Sequence, residues 1–79
     1  MENVKERVGE VLTKVKQGIG DDLNSPRLVS DGIIDSLDIM YLIMELEDAF
    51  DIEIDPEDVL SENFESVEAI AALVEKCGN

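Results

Sequence analysis

One serine in this chain has neighbours that could direct chemistry to its hydroxyl. Ser36 lies in the run Asp31-Gly32-Ile33-Ile34-Asp35-Ser36-Leu37-Asp38, between two acidic residues. Because the pattern predicts that Ser36 begins a helix, the unpaired amides of the first turn would form an anion site beside its hydroxyl. The flanking carboxylates would repel an unassisted phosphate. These carboxylates make more sense if a basic or metal-bearing enzyme recognises and modifies the serine. From the local pattern alone, an ordinary residue of a capped helix is the favoured interpretation, because short capping motifs are common.

The absence of histidine limits the reactions that this chain could catalyse. Ser36 cannot be the nucleophile of a Ser/His/Asp triad within the chain. The acidic residues are expected mostly on exposed helix faces, so no general acid–base pair is evident. Cys77 is the single cysteine, which excludes a Cys/His metal site and an internal disulfide and suits a reducing compartment. We expect no catalytic residues, no metal site and no enzymatic activity.

The charge of the chain is strongly acidic and unevenly distributed. Twenty Asp and Glu oppose six Lys and Arg, giving a net charge of −14, and no basic residue occurs from Leu28 to Glu75. Such a surface repels nucleic acid and anionic lipid, so neither is expected as a partner. It would attract basic patches on other proteins or divalent cations. Charge that serves solubility alone is the other interpretation.

The length of 79 residues predicts a single domain over residues 1–79, with a thin core. The amino terminus is too charged for a signal peptide. The longest apolar runs have six residues, whereas a membrane span needs about 18 or more. We therefore expect a soluble, cytoplasmic protein without membrane insertion.

Apolar spacing and capping signals predict an all-α fold. A first amphipathic helix begins near Val4 and stops near Gly18 and Gly20, and a long structured loop reaches Asp35. The second helix runs from Ser36 to about Phe50 or Asp51, with Asp35 as N-cap and Asp38 in the capping-box position. A short third helix runs from Pro56 to about Ser61, and Ser66 caps a fourth. The prediction is a four-helix bundle of three longer helices and one short helix.

The helical period also predicts which side of the second helix is buried. Its core side is expected to comprise Ile39, Leu42, Ile43, Leu46 and Phe50. Its water-facing side is expected to comprise Asp38, Tyr41, Glu45 and Asp48, with Leu37 and Met44 on the border.

Taken together, these features resemble the acyl carrier protein family. The resemblance covers nearly the whole chain, from the first helix through Asp35-Ser36-Leu37 and Leu42-Ile43-Met44-Glu45-Leu46-Glu47 to the last helix. It implies that a phosphopantetheinyl transferase, using coenzyme A and Mg²⁺, attaches 4′-phosphopantetheine to Ser36. The arm would carry acyl or aminoacyl groups as thioesters between other enzymes, and the carrier itself would catalyse nothing.

The resemblance also implies a docking face on the second helix for acyl-processing enzymes with basic patches. We expect a monomer whose partner-docking residues are Asp35, Leu37, Asp38, Tyr41, Met44, Glu45 and Asp48.

Two departures from the carriers of primary fatty acid synthesis leave the pathway open. Tyr41 stands where those carriers usually have an acidic residue, and Gly32-Ile33-Ile34-Asp35 replaces their more usual Leu-Gly-Ala-Asp. The form found in this chain, Gly32-Ile33-Ile34-Asp35, is more typical of peptide synthetase carriers, D-alanyl carriers and dedicated secondary pathways. A specialised aminoacyl or peptidyl carrier is therefore the alternative to a role in fatty acid, polyketide or related lipid synthesis.

Two hypotheses come from other functional classes. Acidic residues fall at positions 1, 3, 5, 7 and 12 of an EF-hand-like loop that begins at Asp51 and ends at Glu62. That loop needs glycine at its sixth position, where this chain has Pro56, so at most weak cation binding is expected. The other hypothesis is an interaction module that binds basic partners through its charge, with Ser36 unmodified.

Overall fold

The computed structural model describes residues 3–78, and over this range it is a small all-helical bundle without strands. Its three α-helices are α1 (Val4–Val15), α2 (Ser36–Phe50) and α3 (Val67–Cys77). Three short 3₁₀-helices span Gly20–Asn24, Pro56–Asp58 and Ser61–Phe64. The prediction of an all-α fold is confirmed.

The predicted count of four helices is not confirmed over residues 3–78. The stretch expected to form the short helix contains the 3₁₀-helix Pro56–Asp58, and a second 3₁₀-helix, Ser61–Phe64, begins where the predicted helix ends. Asp55 caps the first by accepting a hydrogen bond from the Glu57 N–H at 2.9 Å. The Val59 N–H then donates to the Pro56 carbonyl three residues back, at 3.2 Å. A helix this short gains too few bonds to offset the cost of nucleation, so three-residue turns replace it.

The segment between α1 and α2, predicted as a long structured loop, contains a 3₁₀-helix, Gly20–Asn24. α1 ends at Val15, earlier than the predicted stop near Gly18, and a 3₁₀-helix follows after a turn. Gly18 has a φ of 87° in that turn. Glycine adopts this conformation readily, whereas a residue with a side chain would be strained there. Further along, the Leu28 N–H donates to the Glu65 carbonyl at 2.8 Å, and the Leu28 side chain is fully buried. This contact fixes the segment to the start of α3.

The core lies between the three α-helices and the segments that connect them. In α2, Leu42 and Leu46 are fully buried, and each contributes roughly 1.5–3 kcal/mol by leaving water. The other predicted core positions of α2, Ile39, Ile43 and Phe50, are partly buried against this core. Phe64 is the largest fully buried side chain and comes from the 3₁₀ region. None of the described helices is long and apolar enough to span a membrane.

A candidate attachment site at the start of α2

The start of α2 is fixed by a reciprocal cap. The Asp38 N–H donates to Asp35 Oδ1 at 2.9 Å, and the Asp35 N–H donates to Asp38 Oδ2 at 3.1 Å. The predicted N-cap and capping box are therefore both confirmed. Ser36 is the first residue of the helix and is exposed.

The backbone before Ser36 is held by a buried anchor. Ile34 is 1% exposed, and its N–H donates to the Leu28 carbonyl at 3.0 Å. Gly32 turns the chain with a φ of 73°, and its N–H donates to the Val29 carbonyl at 3.0 Å. The backbone that leads to Ser36 is therefore held against the core by Ile34.

The carboxylate beside Ser36 is stabilised in its charged form. The N–H of Asp38 holds the pKa of Asp35 below its ordinary value, with a smaller contribution from the charge of Lys16. Negative charge at this end also suits the dipole of α2.

Ser36 borders an apolar depression of about 280 Å³ between α2 and the 3₁₀ region. Exposed apolar side chains stand on both sides, with Met40 on α2 and Val59 and Leu60 opposite. Ile39 and Phe64 also line it, so an apolar or amphipathic chain that leaves Ser36 has a surface to lie against.

The predicted docking residues fall into two groups on the surface of α2. Leu37, Tyr41 and Met44 are 57%, 53% and 63% exposed, so Leu37 and Met44 lie further out than the predicted border. Asp35 and Asp48 are also exposed.

Asp38 and Glu45, which the sequence placed on the water-facing side, lie against α1 instead. Lys16 Nζ is 3.1 Å from Asp38 Oδ2, and the Asp38 side chain is only 16% exposed. Lys14 Nζ is 2.8 Å from Glu45 Oε2. The difference arises because α1 packs alongside α2, and the rotation of one helix against another cannot be read from either helix alone.

Sequence reasoning missed Met40, which is 62% exposed. The signal that could have identified it is its spacing of four residues from Ser36 and from Met44, which places all three on neighbouring turns of one helix face.

The acidic residues of the EF-hand-like alternative do not assemble into a site. Among residues 3–78, no group of three or more Asp, Glu, His or Cys side chains is arranged to hold a metal ion.

Comparison with known proteins decides the family. Residues 2–74 match the family model described as the phosphopantetheine attachment site. The chain belongs to the acyl carrier protein family. An acyl carrier protein of Buchnera aphidicola subsp. Baizongia pistaciae is 35% identical over 77 residues, covering 96% of each chain. Another, from Buchnera aphidicola subsp. Schizaphis graminum, is 39% identical over 59 residues, covering 73% of this chain and 75% of that protein.

A second kind of carrier is also similar. The D-alanyl carrier protein of Lactococcus lactis subsp. lactis is 33% identical over 75 residues, covering 92% of this chain and 94% of that protein. Both kinds of relative match almost the full length of the chain.

The prosthetic group of this carrier family is 4′-phosphopantetheine, and the residues around Ser36 fit it. The hydroxyl is exposed at a helix N-terminus, which favours an attached phosphate because of the helix dipole. The apolar depression beside it provides a surface for the rest of the arm. When attached, the group supplies a thiol that can hold acyl groups as thioesters.

Proposed function

We propose that this acyl carrier protein bears phosphopantetheine on Ser36 and shuttles acyl groups between enzymes of fatty acid, polyketide or related lipid synthesis. The observation that carries the proposal is the exposed Ser36 at the first position of a capped α2, inside the family match over residues 2–74. Asp35 and Asp38 hold the backbone on either side, which supports the presentation of Ser36 to other proteins at a defined place on the surface. The chain itself serves as carrier and not as catalyst.

A specialised aminoacyl or peptidyl carrier is the second candidate. The Lactococcus D-alanyl carrier proteins support it, with 32–33% identity over 75 residues. Tyr41 supports it too. This residue stands where carriers of primary fatty acid synthesis usually have an acidic residue, and its side chain is 53% exposed on the surface that partners would meet.

The proposed partners are a phosphopantetheinyl transferase and the enzymes that load or unload the arm. They would approach along α2, where the proposed docking residues are Asp35, Leu37, Asp38, Tyr41, Met44, Glu45 and Asp48. The exposure of Leu37, Tyr41 and Met44 supports this face. A monomeric, single-domain carrier in the cytoplasm stays a prediction.

Intact-protein mass spectrometry tests the attachment site. The protein is incubated with coenzyme A, Mg²⁺ and a broad-specificity transferase, beside Ser36→Ala and Ser61→Ala. Ser61 is a matched control because it is also exposed and borders the same depression. We expect wild type and Ser61→Ala to gain the mass of one phosphopantetheine and Ser36→Ala to gain none. A wild type that stays unmodified contradicts the carrier function, and a modified Ser36→Ala contradicts the site.

The cargo is tested on protein isolated from its native cells. A fatty or polyketide acyl group released from the arm would support the first candidate. An amino acid or peptide would support the second.

A further inference from the structure

An exposed apolar strip runs along α2 from the residue after Ser36. The strip comprises Leu37, Met40, Tyr41 and Met44, which are between 53% and 63% exposed. Their spacings of three and four residues make them neighbours on one face of the helix. Methionine and aromatic side chains are enriched in protein interfaces, and a continuous apolar surface on a protein this small marks a contact site.

The acidic residues on the α1 side of this strip are each paired with a lysine. Lys14 Nζ donates to Glu45 Oε2 at 2.8 Å, and this hydrogen bond raises the pKa of Lys14 above its ordinary value. Lys16 lies 3.1 Å from Asp38 Oδ2, the same oxygen that accepts the Asp35 N–H. Asp38 is thus held by two donors, whereas Asp48 further along α2 is exposed and has no ion-pair partner among residues 3–78.

These pairs change what a partner meets. A carboxylate that is ion-paired with a lysine presents a dipole rather than a net charge. Its electrostatic attraction for an approaching arginine is therefore weaker. A basic partner would compete with Lys14 and Lys16 for Glu45 and Asp38. An apolar partner surface needs no ion pair with Glu45 or Asp38, and it gains contact with the apolar strip on α2.

The strip's position next to the attachment site identifies its occupant. Leu37 follows Ser36 directly, and Met40 lies one turn away on α2. An enzyme that brings its active site to the Ser36 hydroxyl therefore covers the start of the strip. The occupant is the enzyme that modifies Ser36, rather than a second copy of this chain.

We propose that Lys14 and Lys16 are specificity determinants that reduce the negative charge of the α2 contact surface and so favour partners with an apolar carrier-binding surface. The inference rests on the proposed carrier function and adds the chemical class of the partner. It assigns a role in recognition to Lys14 of α1 and to Lys16, which caps the end of α1, both outside the face expected to dock.

The test compares two phosphopantetheinyl transferases of known structure, one with a Lys/Arg-rich carrier-binding surface and one with an apolar surface. The kcat/KM for the apo protein is measured with each at low and high salt. Binding of each transferase to Ser36→Ala is measured separately, because that readout does not depend on the reaction. The variants are Lys14→Ala/Lys16→Ala and Met44→Ala. Lys5→Ala/Lys76→Ala is the control for the double variant because it removes the same two positive charges at positions remote from the strip.

We expect wild type to prefer the apolar transferase by about tenfold, with little change on adding salt. The double Lys14→Ala/Lys16→Ala variant should shift the ratio towards the basic transferase by at least about fivefold, through salt-sensitive binding, because Glu45 and Asp38 are released. Met44→Ala should weaken binding of the apolar transferase at both salt concentrations. The control should leave the ratio within about twofold of wild type.

A wild type that prefers the basic transferase overturns the inference, as does a double variant that behaves like its charge-matched control. Either result leaves the carrier function intact, provided that wild type is modified. If neither transferase modifies wild type, the carrier function fails instead, and the binding ratio measured on Ser36→Ala still tests the role of the lysines.

Discussion

The two ends of α2 are closed in different ways. At its start, Asp35 and Asp38 cap the helix with bonds between residues three apart, and Ser36 stays exposed. At its end, Arg7 of α1 donates from Nη2 to the Ala49 carbonyl at 2.5 Å, and its guanidinium lies 4.4 Å from the centre of the Phe50 ring. At the first end the capping bonds between Asp35 and Asp38 are local, whereas at the second end the Ala49 carbonyl accepts from a residue 42 positions away.

This difference fits the different demands on the two ends. A local cap leaves the surface around Ser36 uncovered, so a large group can be attached there without breaking a contact between helices. A contact between α1 and the end of α2 joins that end to the bundle instead. The contact that Arg7 makes is therefore at the end of α2 where no chemistry is proposed.

The largest effect should follow from removing the distant contact. Arg7→Ala removes a charged hydrogen bond, a favourable charge at the helix C-terminus and a cation–π contact. We expect the free energy of unfolding to fall by about 2 kcal/mol. Denaturant titration measures this, and modification of Ser36 should be retained. Lys5→Ala, which removes an exposed charge from the same helix, should change stability by less than about 0.5 kcal/mol. Equal effects of the two variants would show that the end of α2 does not depend on Arg7.

A smaller loss should follow from removing the local cap. Asp35→Ala leaves the Asp38 N–H without its acceptor, and we expect the melting temperature to fall by about 5 °C. Asp35→Asn keeps an acceptor oxygen and should recover most of that loss. Thermal unfolding followed by circular dichroism measures both. If Asn were as damaging as Ala, the negative charge rather than the hydrogen bond would be what stabilises this end.

A gain in stability is expected just beyond the other end. Asp51 follows α2 with a φ of 54° and a ψ of 53°, the left-handed conformation that glycine adopts most easily. Asp51→Gly should therefore raise the melting temperature by about 2–4 °C. Asp51→Ala has no comparable freedom and should not raise it. A loss of stability in Asp51→Gly would mean that the Asp51 side chain, rather than its backbone, closes α2.

The same distinction between local and distant contacts explains what the sequence could predict. Both bounds of α2 and its capping box follow from residues close together in the chain, so they were predicted correctly. The side chains that α1 presents to Asp38 and Glu45 depend on how two helices rotate against each other, and no local pattern encodes that rotation. A single short helix was predicted for the 3₁₀ region because Pro56 signals a helix start. The buried Phe64 lies beyond the predicted end of that helix, so its packing into the core was not predicted.

The smallest effect on stability is expected from removing the charge of Glu65, whose carboxylate holds the segment that leads into α2. The Glu65 carboxylate accepts the Val29 and Ser30 N–H groups at 2.9 Å and 3.0 Å, and also the Ser30 hydroxyl. The Ser30 hydroxyl, followed by these amides, holds the pKa of Glu65 below its ordinary value. Because the folded pKa is the lower one, the stabilisation is fully present above the unfolded value of about 4.3 and is lost as the pH falls through the folded value.

Glu65→Gln should therefore melt below wild type at pH 7, and the difference should shrink as the pH falls from about 5 towards 3. Thermal scans across this range measure the difference. Glu62→Gln serves as the control, because Glu62 is exposed on the neighbouring 3₁₀-helix and its variant reports the general effect of removing one negative charge. If Glu65→Gln follows Glu62→Gln at every pH, the segment before Ser36 is held without the carboxylate. The start of α2 would then depend on its local cap and the buried Ile34 alone.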